Sequence, residues 1–301
     1  MADVLNTIIV ILILIFLGYF LKIIKLLKTK DIDVLNKIVI NIAMPCLIFS
    51  SLYSADLSNI TNLAIMPLIS VSVGAVCGLL VFIILTIKEY PKEKKWGAVV
   101  PVVIGNTAFL GFPFVLGIFG QDYLIRAIFY DMGSLILFLS LSMILMVNFG
   151  GSFKEVIKKI LSFPVLWAVI LGIIFNIFNV PIGIVATNIV GYLAAVAVPI
   201  VMISLGLSLK FKGVFKNFKI VGLDVIVTLL IAPIIALFLV SIFGLSGMEK
   251  TISIIEAAMP SGLLTLILAV TYKLDFNLTA ECVIATTILS LITLPIITSL
   301  L

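Results

Sequence analysis

The sequence predicts an all-α polytopic membrane protein: ten transmembrane helices forming two inverted five-helix repeats, with helices 4 and 9 broken where they cross. Three observations carry this expectation. Apolar runs of spanning length recur along all 301 residues. Basic residues fill every second loop. One sequence offset relates the two halves.

The chain is 63% hydrophobic and 11% charged, outside the range of an ordinary soluble domain. Each apolar run of about 20 residues would cover about 30 Å as a helix, the thickness of a bilayer core. A β-barrel would need alternating segments of about 10 residues, and these are absent. The predicted spans run near 4–27, 34–53, 62–87, 96–119, 122–148, 161–180, 184–209, 218–244, 250–272 and 277–300. The N-terminus lacks the basic region of a signal peptide, so the first span is expected to be retained. Cys46, Cys77 and Cys282 fall in or beside spans without paired spacing and read as small apolar fillers. There is no histidine, which excludes a His-based metal site or proton relay. No nucleotide loop or metal cluster suggests an enzyme, and no cofactor or metal is expected.

The net charge of +5 does not point to nucleic acid, because the charges sit in short clusters between spans. The loops and flanks after spans 1, 3, 5, 7 and 9 carry 17 of the 19 Lys and Arg, among them Lys25, Lys92, Lys158, Lys212 and Lys273. The opposite side has only Arg126 and Lys250. By the positive-inside rule the odd-to-even loops are cytoplasmic and both termini lie outside. A missed span would scramble this alternation.

Ala43-Met-Pro-Cys-Leu-Ile-Phe-Ser50 matches Ala197-Val-Pro-Ile-Val-Met-Ile-Ser204 at an offset of 154, which also carries Asn106 onto Pro260. Residues 1–149 are the first repeat, 150–160 a cytoplasmic linker and 161–301 the second repeat. Five spans is an odd number, so the second copy enters from the opposite side, the architecture of alternating access.

In span 2, Pro45 is a kink, with Asn41 placed to satisfy the carbonyl that the proline frees. Ser50 and Ser51 follow; they line the cavity or bond back to helix carbonyls. Gly74-x-x-x-Gly78 in span 3 permits close helix packing. Span 4 holds Gly105-Asn-Thr-Ala-Phe-Leu-Gly-Phe-Pro113, where Gly105, Gly111 and Pro113 should break the helix. Broken backbone at membrane depth is tolerated where protein buries it or it lines a cavity. Asn106 and Thr107 are therefore candidate solute-binding groups, and the free N–H groups of a half-helix suit a carboxylate. The alternative is that Asn106 only bonds a neighbouring helix.

Asp131 lies mid-way in span 5. Its five-residue spacing from Arg126 is poor for an ion pair, so it should face the bundle. Pro199 kinks span 7 and Ser204 follows it. Asp224 is expected near the cytoplasmic end of span 8, as a structural residue. In span 9, Pro260, Ser261 and Gly262 form the partner break, and Glu256 precedes it by one turn. An ionisable group there needs a partner, water or a proton. Glu256 and Asp131 are thus candidates for coupling to H⁺ or Na⁺, with a structural role as the alternative for each. Glu281 is expected to be solvated near the interface.

With these motifs the chain resembles the auxin efflux carrier family, the plant carriers and their bacterial malate-permease-like relatives. The resemblance rests on Leu35-Asn-Lys-Ile-Val-Ile-Asn-Ile-Ala-Met-Pro45, the span 4 motif, Tyr130-Asp-Met-Gly133, Val198-Pro-Ile-Val-Met-Ile-Ser-Leu-Gly-Leu207, Ala257-Ala-Met-Pro-Ser-Gly262 and Leu291-Ile-Thr-Leu-Pro295. It implies a fold like that of bile-acid symporters and Na⁺/H⁺ antiporters. It also implies a scaffold of spans 1, 2, 6 and 7, a transport domain of spans 3–5 and 8–10, and a homodimer formed through the scaffold. Substrates would be organic mono- or dicarboxylates. Plant members look to carry Gln where this chain has Glu256, and a long central loop where this chain has a short one.

The resulting expectation is a secondary carrier, an efflux carrier or permease, that moves small organic anions by elevator-type alternating access in a prokaryotic inner membrane. Asn106, Thr107, Pro260, Ser261, Gly262, Ser50 and Ser204 would bind substrate. Arg126 is the only arginine and sits near the outer face, which tilts the reading toward monocarboxylates. The alternatives are a Na⁺- or H⁺-coupled cation exchanger or symporter on the same fold, and a receptor that binds without transporting.

Overall fold

The computed structural model describes residues 2–57, 60–152, 154, 157–158, 161–208 and 217–301, with 2–5, 7 and 8 described by backbone alone. Lys159, Lys210, Lys212, Lys216 and part of the expected 150–160 linker lie outside the described residues. The described chain is helical: α1 Ala2–Ile23, α2 Thr29–Tyr53, α3 Ile60–Ile87, α4 Lys92–Val103, α5 Thr107–Phe119 and α6 Gln121–Phe149, followed by α7 Pro164–Ile177, α8 Gly183–Ser208, α9 Phe218–Ile242, α10 Gly247–Ala257, α11 Leu264–Thr271 and α12 Phe276–Leu300. Helices α2, α3, α6, α8, α9 and α12 are long and apolar enough to cross a membrane. Ile9–Ile23, α5 and α7 are shorter apolar helices. The expected spans at 96–119 and 250–272 are each split into two helices.

Proline shapes several of these helices in one recurring way. The turn over Val39–Ala43 is widened to π geometry two residues before Pro45. Thr107–Gly111 is widened before Pro113, and Val227–Ile231 before Pro233. A proline ring clashes with the carbonyl four residues back, and a widened turn moves that carbonyl aside. These prolines therefore stay inside continuous helices. Asn41 does not serve the carbonyl freed by Pro45; its Nδ2 donates to Lys37 O at 2.8 Å. In α8 the helix is interrupted at Val196, three residues before Pro199.

The chain divides into two compact units. Unit 1 comprises Met1–Ser58, Phe112–Ile125 and Ile157–Phe211. Within it α1 packs on α8 through glycines, because a Cβ on Gly18 would lie 2.9 Å from the Ile203 carbonyl carbon and one on Gly206 would lie 2.9 Å from Tyr19 N. On α7, Asn176 Nδ2 donates to Leu52 O, Tyr53 O and Ala55 O at 3.0, 2.9 and 2.8 Å. One amide thereby serves three carbonyls at and just past the end of α2, where the helix has few donors of its own left to give.

Unit 2 comprises Asn59–Gly111, Arg126–Val156 and Lys212–Leu301. Gly74 of α3 lies against α4, where a Cβ would meet Val103 O at 2.7 Å. Thr279 Oγ1 donates to Gly97 O at 2.7 Å, and Asp275 N donates to Glu93 O at 3.1 Å, tying the start of α12 to α4. Arg126 pairs with Glu249, Nη2 to Oε1 at 2.9 Å, joining α6 to the first turn of α10.

Candidate functional site

Both breaks lie in unit 2, and they meet. Helix α4 ends at Val103, and Ile104 is extended (φ −111°, ψ 105°). Helix α10 ends at Ala257 because a proline follows closely. Pro260 has no N–H, and the residue before a proline is pushed out of helical geometry. The two freed stretches pair as a minimal antiparallel ribbon centred on Gly105 and Ser261. Asn106 N donates to Pro260 O at 2.6 Å, and Gly262 N donates to Ile104 O at 2.8 Å. Each break thus supplies the backbone partners that the other lacks, where an unpaired buried group would cost about 1–3 kcal/mol. The approach requires glycine at 262, since a Cβ there would lie 2.8 Å from Gly105 O.

The break in the first half is therefore at Ile104–Asn106, and Gly111 and Pro113 lie beyond it inside α5. Leu110 N and Gly111 N both return to Asn106 O, at 3.1 and 3.2 Å, which starts the next helix on a wide turn. Chain ends of both signs then converge: the C-termini of α4 and α10, and the N-termini of α5 and α11.

Asn106 is 3% exposed and its Oδ1 has no hydrogen-bond partner among the described residues. Thr107 Oγ1 donates to Asp131 Oδ1 at 2.5 Å and lies 3.2 Å from Ser134 Oγ, which is 3.4 Å from Ser70 Oγ. Asp131 thus faces the break and not Arg126. Ser261 is fully buried; its N–H donates to Thr286 Oγ1 at 3.2 Å and its hydroxyl to Asp224 Oδ2 at 3.4 Å. Asp224, near the start of α9, is 1% exposed and touches the break. Glu281 is partly buried, and its Oε2 accepts from Asn217 N and Nδ2, both at 3.3 Å.

Glu256 occupies the last turn of α10 and is 1% exposed. Neither carboxylate oxygen has a hydrogen-bond partner among the described residues. The missing side chain of Gly111 makes its room, since a Cβ there would lie 2.6 Å from Oε1 and 2.7 Å from Cδ. Beside Glu256 is a cavity of about 30 Å³ bordered by Ser70, Thr107, Tyr130, Ser134 and Thr228. That is room for a water-sized species.

Ser50 and Ser204 belong to unit 1. Ser50 Oγ bonds back to Leu47 O at 3.1 Å, and Ser204 Oγ donates to Asn36 Oδ1 at 2.7 Å. Pro45 and Pro199 also belong to unit 1.

The sequence profile of a family described as membrane transport protein matches residues 3–154 and 148–298. An uncharacterized transporter of Methanothermobacter thermautotrophicus is 40% identical over 291 residues, covering 97% of this chain and 96% of that protein. An uncharacterized transporter of Methanocaldococcus jannaschii is 34% identical over 301 residues, with coverage of 97% and 96%. With matches that run almost end to end over a chain of apolar helices, the protein belongs to the auxin efflux carrier-like family of membrane transport proteins.

Proposed function

We propose that this transporter is a secondary carrier for small organic anions, such as auxin-like monocarboxylates or malate, and that the anion binds at the paired breaks. The observation that carries the reading is the ribbon of Ile104–Asn106 against Pro260–Gly262, which leaves two half-helix N-termini and three short polar side chains, Asn106, Thr107 and Ser261, at one place. Helix N-termini favour carboxylates, and irregular backbone inside a membrane protein is costly unless it is put to use.

In this reading the chain crosses the membrane ten times. Six long helices make six crossings, α1 and α7 make two, and the split pairs α4–α5 and α10–α11 make the last two. The offset of 154 makes the halves inverted repeats with both termini outside. Unit 2 is the moving transport domain and unit 1 the scaffold, through which the protein forms a homodimer. The partition into units supports this, because both breaks fall within unit 2. Transport is then of the elevator type, in a prokaryotic inner membrane. Coupling falls to Glu256, assisted by Asp131. A buried carboxylate without hydrogen-bond partners is stable only with a proton or a cation.

A second reading, a Na⁺- or H⁺-coupled cation exchanger or symporter, is favoured by the three carboxylates Asp131, Asp224 and Glu256 around the breaks. Uptake of labelled malate and labelled indole-3-acetate into proteoliposomes separates the two. The anion reading predicts saturable uptake that Asn106→Ala abolishes. Wild-type uptake in that variant removes Asn106 from the site, and Na⁺ flux with no uptake of either anion selects the second reading.

A further inference from the structure

The two hydroxyls at the ribbon each already donate a hydrogen bond. Thr107 donates to Asp131 at 2.5 Å and Ser261 to Asp224 at 3.4 Å. A hydroxyl has one proton and two acceptor lone pairs. While each neighbour is an ionised carboxylate, which only accepts, Thr107 and Ser261 can offer nothing but lone pairs to a ligand. That is the wrong polarity for an anion.

The two arrangements are related. The offset of 154 carries Thr107 onto Ser261 and Ser70 onto Asp224. In the first half the carboxylate that takes the hydroxyl proton stands on α6, and Ser70 on α3 ends the chain of hydroxyls through Ser134. In the second half the carboxylate stands at the Ser70-equivalent position, on α9. Both halves keep a hydroxyl on the broken strand and an acid behind it, although the acid comes from different helices. Thr107 and Ser261 are buried, and so is Asp224, whose Oδ1 has no hydrogen-bond partner among the described residues.

We propose that Asp224, acting through Ser261, sets the hydrogen-bond polarity of the second broken strand, so that Ser261 donates to an anion only when Asp224 carries a proton. Protonated Asp224 has an O–H to give and an oxygen to spare. Its O–H turns to Ser261 Oγ, and the Ser261 proton is released toward the ligand. Bonds balance, and the anion and one proton bind together. Asp131 behind Thr107 is the corresponding pair in the first half. Asp224 is a positioning residue here and does not itself touch the anion. This inference rests on the anion reading of the ribbon, and it gives Ser261 the donor polarity that reading needs.

The titratable group facing Asp224 is the Cys282 thiol of α12, and Glu281 next to it is turned to Asn217. The one around Asp131 is Glu256 of α10, and Arg126 of α6 is turned to Glu249.

The test is equilibrium binding of labelled indole-3-acetate to the purified carrier from about pH 6 to about pH 8, where the ligand carboxylate is ionised. If one proton binds with the anion, affinity falls by up to about tenfold per pH unit as pH rises past the titration of that proton. Asp224→Asn removes the titrating proton and puts in its place an amide whose NH2 can donate to Ser261. It is expected to bind at least as tightly as the wild type at the alkaline end and to lose about one proton from the pH slope. Ser261→Ala is expected to weaken binding and to lose the same part of the slope, and the double variant to lose no more than either. If Asp224→Asn weakens binding equally at every pH and keeps the wild-type slope, while Ser261→Ala is impaired, Asp224 is only structural and the inference fails alone. If Ser261→Ala binds as the wild type does, the role of Ser261 in the site fails with it. Should Asp224→Asn not yield a monodisperse protein, Asp224→Ser, which copies the first half's Ser70, is read by the same criteria.

Discussion

Gly111→Ala is the smallest perturbation with a calculable effect on the site. The added methyl would stand 2.6 Å from Glu256 Oε1 and 2.7 Å from its Cδ, with Oε2 closer still. Ordinary contact begins near 3.4 Å, so the carboxylate must retreat by about 0.8 Å or more. It is buried in the last turn of α10 and borders the cavity of about 30 Å³, so its retreat has to use that space. Overpacking of this kind costs about 1–3 kcal/mol. Alanine regains about 1 kcal/mol over glycine in a helix, so the net loss of stability is between about 0 and 2 kcal/mol. The diagnostic quantity is the coupling. In a Glu256→Ala background the collision disappears, and Gly111→Ala should become neutral or stabilising. Melting temperatures of the four proteins in detergent give the cycle, with an expected coupling of about 1–3 kcal/mol. Equal shifts in both backgrounds would refute the argument that Gly111 exists to admit Glu256. Uptake in Gly111→Ala should fall well beyond what its stability explains.

Two further outcomes follow from other contacts. Asn176→Leu removes a donor shared by three carbonyls and should lower stability by about 1–3 kcal/mol, read by thermal unfolding, with substrate affinity unchanged. The Arg126–Glu249 pair is partly exposed, so Glu249→Gln should cost no more than about 1 kcal/mol, and the exchanged pair Arg126→Glu/Glu249→Arg should recover most of it.

Much of the site can be read from residue types. Asn, Gly and Pro inside a run that only needs Leu, Ile and Val mark both broken stretches. The exact point of the first break is not legible, because proline alone does not locate it. Pro113 and its equivalents at Pro45 and Pro233 are absorbed by a widened turn, while the chain opens at Gly105–Asn106, where a partner strand is available. That partner lies about 155 residues away, and no local pattern reports it. The contact of Asp224 with the second break is not legible for the same reason, since Ser261 lies 37 residues along the chain. Of the two roles open to Ser50, its hydroxyl takes the bond back to its own helix, while Ser204 bonds Asn36, a partner 168 residues away that no local pattern reports.

The central claim, that the paired breaks carry an anion and that Glu256 couples its movement to an ion, is tested most directly in proteoliposomes. Uptake of labelled malate and indole-3-acetate is measured with and without an imposed pH gradient, in the wild type and in Glu256→Gln. The account predicts that the gradient, acid on the side of entry, stimulates wild-type uptake, and that Glu256→Gln keeps basal uptake and loses the Glu256 share of that stimulation, with only the share carried by Asp224 remaining. Wild-type uptake that ignores pH and Na⁺ gradients alike, with normal transport by Glu256→Gln, would contradict it and make Glu256 a structural residue of a uniporter.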